Sequence, residues 1–154
     1  MIDTAVKDKC RDFAHAIGYI ILFLSESEKL EVSATMGHSV TEEQAGRVRA
    51  WCGIPEKTLY LFETTGETDE SILWLTFHEI AHVLLDRAGL RGEIAAVNKN
   101  LERPGHAPFN DEAHDANLEE MICNAYATRM MGGECYDRKW LRQQQAELKI
   151  KEKP

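Results

Sequence analysis

Val6, Cys10, Phe13, Ala14, Ile17, Ile21 and Leu24 recur at three- and four-residue spacing, the repeat of one helix face. The pattern predicts a first helix over residues 3–24, then a polar break at 25–29. The period then shortens. Leu30-Glu31-Val32-Ser33-Ala34, Arg47-Val48-Arg49-Ala50-Trp51-Cys52 and Thr58-Leu59-Tyr60-Leu61-Phe62 have period-two or β-branched character. Gly53-Ile54-Pro55-Glu56-Lys57 fits a turn between the last two. These segments predict a small antiparallel sheet, with residues 58–62 as a candidate exposed edge for an extended peptide. Thr41-Glu42-Glu43-Gln44 is the competing signal, a capping box that would open a helix.

Gly66 marks a loop, and Asp69 is a candidate N-cap for a helix running to Ala88 and ended by Gly89. Ile72, Leu73, Trp74, Leu75, Phe77, Ile80, Val83, Leu84 and Leu85 make that helix apolar nearly all round, which predicts central burial. Residues 91–110, with Pro104 and Pro108, are weakly patterned and read as a long loop. A further helix is expected over 111–131, stopped by Gly132-Gly133. A last one is expected over about 137–150, carrying Trp140, Leu141 and Leu148 into a charged, frayed end.

The expected class is therefore α+β, with a small antiparallel sheet packed on a central helix and further helices around it. A chain of 154 residues fits one domain, with the motif-bearing core at about 47–131. The net charge of −8 argues against direct nucleic-acid binding. The local cluster Arg138, Lys139 and Arg142 reads as a solvated helix face. The apolar run 17–24 is too short to span a bilayer, and the first residues lack a signal-peptide pattern. Cys10, Cys52, Cys123 and Cys135 form no Cys-x-x-Cys pair. A cytoplasmic protein with free thiols and no membrane partner is expected.

Inside the buried helix stand His78-Glu79-Ile80-Ala81-His82. Residues four apart share one helix face, so the two imidazoles can grip one ion while Glu79 projects beside them as general base. Two histidines and a glutamate inside an apolar helix need compensation, because unpaired buried polar groups are costly. A catalytic Zn2+ site of this kind takes three protein ligands and leaves one position open. Glu120 is the candidate third ligand, because Asn124 follows one turn later and can orient a ligating histidine. Apolar periodicity alone does not separate Glu119 from Glu120, and His106, Glu112, His114 and Asp115 are rivals. Tyr60, His106, His114 and Tyr136 are the candidates for stabilising an oxyanion. His15 and His38 read as structural or surface residues.

The order of strand, loop, His-Glu-x-x-His helix and later Glu120-x-x-x-Asn124-Ala125-Tyr126-Ala127 resembles the ImmA/IrrE-type zincin metallopeptidases. Their Glu-x-x-Ala-Asn-x-Phe-Ala segment matches Glu120, Cys123, Asn124, Tyr126 and Ala127, and the likeness covers about residues 58–131. Cys123 replaces an alanine, Tyr126 a phenylalanine, and Gly132-Gly133 interrupts the usual continuation. The resemblance implies a zincin-like minimal metalloprotease domain and one zinc ion on His78, His82 and Glu120, with Glu79 as base. It also implies cleavage of an intracellular protein, with a DNA-binding repressor as a candidate substrate. The alternative is a zinc-bound interaction module whose peptidase activity is latent or lost.

Overall fold

The Asp3 carboxylate accepts the Ala5 amide proton at 2.7 Å and so caps helix α1 (Thr4–Ala16). In this computed structural model, which describes residues 2–35 and 41–152, the helix stops well short of residue 24. Gly18 turns left-handed at φ +77°, and the Gly18 and Tyr19 amides close on the carbonyls of His15 and Ala14. The chain leaves this closure as strand β1 (Ile20–Ser25). The expected single helix over 3–24 is thus a helix and a strand. Ile17, Ile21 and Leu24 kept helical spacing by coincidence, since a short apolar run fits either period.

Helix α2 (Glu26–Thr35) occupies the place of the expected strand at 30–34. Its start is fixed by Glu28, whose Oε1 accepts from both the amide and the hydroxyl of Ser25, at 3.0 and 2.8 Å. The capping box at residues 41–44, the competing signal in this region, does form. Thr41 Oγ1 accepts from the Gln44 amide and Gln44 Oε1 from the Thr41 amide, opening α3 (Glu42–Gly46). His38 lies outside the described residues.

Strands β2 (Ala50–Gly53) and β3 (Thr58–Glu63) flank the predicted turn. The sheet order is β1-β3-β2, with β1 parallel and β2 antiparallel to β3. The sheet is therefore mixed, not antiparallel, and residues 58–62 form its centre, not an edge. The cause is β1, whose strand character its helical spacing concealed: it returns to β3 through a long crossover, the connection that parallel pairing requires. Leu59, Leu61 and Ile21 pack with Cys10 and Ala14 of α1 in one buried core.

Helix α4 (Asp69–Arg87) crosses that core, burying Ile72, Leu75, Phe77, Ile80 and Val83. Its N-cap is Thr68, not Asp69: Thr68 and Ser71 exchange reciprocal side chain–backbone bonds. Asp69 instead accepts the Asp3 amide at 2.9 Å, tying the starts of α4 and α1 together. Gly89, at φ +70°, ends the helix as its sequence position predicts.

The expected loop at 91–110 is in its first half a helix, α5 (Arg91–Asn100). The expected helix over 111–131 is broken into α6 (Asp111–Ala116) and α7 (Leu118–Met130). Asn117 makes the break, because its extended backbone and its side chain, which accepts from the Glu119 and Glu120 amides, restart the helix. Helix α8 (Arg138–Glu152) begins after Asp137, which accepts the Trp140 amide. No helix among the described residues is long and apolar enough to cross a membrane.

Two contacts lock the parts that carry the candidate site. Trp74 Nε1 donates to Thr128 Oγ1 at 3.1 Å, joining α4 to α7. Arg49, just before β2, forks onto Glu67 at 2.8 and 2.7 Å and donates to the Tyr136 carbonyl at 2.6 Å.

Candidate metal centre

One turn apart on α4, His78 and His82 bring their Nε2 atoms to 3.2 Å. The Trp74 indole lies against the His78 ring, with centroids 5.5 Å apart, and limits its rotation. From the first turn of α7, Glu120 Oε2 stands 2.9 Å from His78 Nε2 and Glu120 Oε1 stands 3.2 Å from His82 Nε2. All three side chains are buried. Donors around a tetrahedral ion with bonds near 2.0–2.1 Å are about 3.3 Å apart. Two imidazoles and a carboxylate with these separations fit such an ion. His78, Glu79 and His82 also offer ligand atoms within 4.8 Å of one another, a cluster that could hold a metal ion.

Glu119 does not join this convergence. Its Oε2 takes the far nitrogen of His82, Nδ1, at 2.6 Å, and Arg91 Nε bonds its carboxylate at 3.0 and 3.2 Å. A carboxylate on the outer nitrogen fixes the ring and its tautomer and raises the basicity of the inner one. The outer Nδ1 of His78 is buried and has no hydrogen-bond partner among the described residues. Asn124 shares a small cavity with His78, but no hydrogen bond joins it to either histidine among the described residues. Glu119 therefore occupies the orienting position that sequence spacing suggested for Asn124.

Burial pushes the Glu79 carboxyl above the usual carboxylate range, against the pull of His82 and His78. Burial would raise Glu120 too, but hydrogen bonds from His114, His78 and His82 prevail and hold it well below that range. For His82, burial opposes the charged form, while bonds to Cys123, Glu119 and Glu120 raise it well above the usual imidazole value.

The open side of the centre is a cleft of about 180 Å³. It is lined by Glu79, His82 and Glu120, by Ala50 and Cys52 of β2, and by His106 and Pro108. His114 also lines it, with Nε2 3.0 Å from Glu120 Oε2 and Nδ1 3.2 Å from Asp115. The remaining sequence candidates stand elsewhere. The Tyr60 hydroxyl donates to Glu56 at 3.2 Å, and the Tyr136 ring packs edge-on to Trp140. Glu112 and His15 are exposed on α6 and α1. The four cysteines are free, as expected, and burial pushes the Cys123 thiol up to about 11.

Sequence reasoning missed Arg138. It is buried and lines the cleft, where the charge pattern suggested a solvated face. No local signal in the sequence marks it, because its burial follows from how α8 packs; Lys139 beside it is exposed. No protein-family model matches the chain, and no curated protein or solved structure matches it.

Proposed function

We propose that this chain is a zinc-dependent metallopeptidase of the ImmA/IrrE type that hydrolyses a peptide bond in an intracellular protein. One observation carries the reading: the Nε2 atoms of His78 and His82 and the Glu120 carboxylate converge at 2.9–3.2 Å beside buried Glu79, at the base of an open cleft. His78, His82 and Glu120 would hold the ion. When bound, zinc supplies Lewis acidity, polarising a carbonyl and lowering the pKa of water toward about 7.

The residues of the chain do the rest. Glu79 takes a proton from the attacking water and delivers it to the departing amine. Its burial raises its proton affinity and so makes it the stronger base. Glu119 keeps the inner nitrogen of His82 turned inward. Of the four candidate oxyanion donors, His114 and His106 line the cleft, and Asp115 orients His114.

Strand β2 supplies a place for the peptide. Among the described residues it pairs only with β3, and the Arg49 carbonyl accepts from the Phe62 amide, so ladder alternation turns the main-chain groups of Ala50 and Cys52 to the edge away from β3. That edge borders the cleft and suits an extended segment. By resemblance, a DNA-binding repressor is a candidate substrate.

The test is cleavage of a fluorescence-quenched peptide library by the purified, zinc-loaded chain. Cleavage should vanish with chelator and in Glu79→Gln. Cleavage that survives both treatments rejects the proposal. Zinc binding without cleavage of any peptide or repressor favours the interaction module instead.

A further inference from the structure

Arg138 lines the cleft above Glu79, His82 and Glu120, yet its side chain is only 8% exposed. Among the described residues its guanidinium makes one hydrogen bond, from Nη1 to Asp111 Oδ1 at 3.2 Å. Asp111 is shared: its carboxylate also accepts from Arg142 Nε at 2.8 Å and lies 3.5 Å from Arg47 Nη1. One carboxylate is thus shared among three arginines, of which only Arg138 lines the cleft. Arg91, the other arginine that lines the cleft, is paired with Glu119 at 3.0 Å.

A guanidinium carries five donors in the plane of a fork, and two of them can meet one carboxylate through parallel hydrogen bonds. Nε and Nη2 of Arg138 are not among the sealed, unpartnered atoms of the described residues, so they keep open surface. Arg138 lines both the cleft and the small cavity beside His78. Burial lowers its proton affinity even though Asp111, Asp115 and Glu120 lie near. A singly charged, planar anion suits the site. A phosphate would bring more negative charge beside Glu79, Asp115 and Glu120.

We propose that Arg138 is a specificity residue that binds a substrate carboxylate, so that the cleft selects peptides with an acidic side chain or a free C-terminal carboxylate beside the scissile bond. This rests on the peptidase reading of the site. The carboxylate would take the idle nitrogens of the fork while Asp111 holds Nη1, leaving Glu79 free for its proton.

Calorimetry with zinc-loaded Glu79→Gln chain, which leaves peptides uncut, tests this with two matched pairs. The first pair is acetyl-Ala-Ala-Glu-Ala-Ala-amide and its Gln counterpart. The second is acetylated penta-alanine as free acid and as amide. One acid should bind about tenfold tighter than its neutral twin, the range of a charge-assisted hydrogen bond. The pair that shows the difference identifies the source of the carboxylate. Arg138→Gln should erase the preference, and Arg138→Lys should keep part of it, with circular dichroism confirming that both fold. Equal affinities within both pairs, absence of binding by all four, or a preference unchanged in Arg138→Gln overturns the proposal. The paired comparison uses intact Arg138, so a misfolded variant cannot rescue it. Arg138-dependent binding of the acids with no cleavage by the wild-type chain would sink the peptidase reading and leave the carboxylate site standing. Cleavage of neutral and acidic peptides at equal rates would do the reverse.

Discussion

His82 turns its Nδ1 to Glu119 at 2.6 Å while its Nε2 stands 3.2 Å from Glu120, so two adjacent glutamates divide the two nitrogens of one ring. Consecutive helical residues point about 100° apart, and in the first turn of α7 that angle brackets the imidazole edge. Glu119→Gln should therefore lower zinc affinity about 10- to 100-fold without unfolding the chain, and Glu120→Gln should lower it further. Competition with a calibrated chelator measures both. Equal zinc affinity in Glu119→Gln and wild type would deny Glu119 its orienting role.

Glu79→Gln should bind zinc nearly as well as wild type, because the ligands proposed are His78, His82 and Glu120. Its kcat/KM should fall by about 10²–10⁴, the range of general base catalysis. Metal analysis beside peptide cleavage separates the effects. A variant that loses its metal together with its activity would make Glu79 a ligand.

The Arg49–Glu67 pair is almost fully buried, with side chains 3% and 1% exposed, and Ser71 Oγ adds a bond to Glu67. Removing one partner strands a charge, so Arg49→Met or Glu67→Gln should each cost about 3–5 kcal/mol in urea unfolding. The double variant Arg49→Met/Glu67→Gln should cost clearly less than the sum, because neither charge is then left behind. Additive losses would mean that the pair does not interact.

Lys29 is buried beside Phe62 and donates to Thr64 Oγ1 at 2.7 Å. Burial lowers its pKa from 10.5 to about 8. The unfolded chain thus holds this proton more tightly, so stability should rise with pH between about 8 and 10.5. Below that window the charged lysine costs stability, and Lys29→Met should gain about 2 kcal/mol at pH 7. The gain should shrink through the window. Denaturant curves at pH 7 and pH 10 check it, and a gain independent of pH would point to packing instead.

The site was legible where local rules determine geometry. His-Glu-x-x-His on an apolar helix needs only the helical repeat to bring two imidazoles together, and α4 does so. The caps at Thr41 and Gly89 were legible for the same reason, since each is satisfied by neighbours in sequence. Ser25–Glu28 and Gly18 carried equally local signals, and there the longer helical spacing of apolar residues masked them.

By itself, the sequence determined the α+β class, the buried helix and the pair of histidines, all of which follow from period, burial and caps. Only the tertiary structure decided that β3 lies at the centre of the sheet, that Glu119 and Glu120 divide one imidazole, and that Arg138 faces the cleft. Those outcomes depend on the break at Asn117 and on how α7 and α8 dock. A helix fixes the angle between its own side chains. Only packing against a second element fixes what each of them meets.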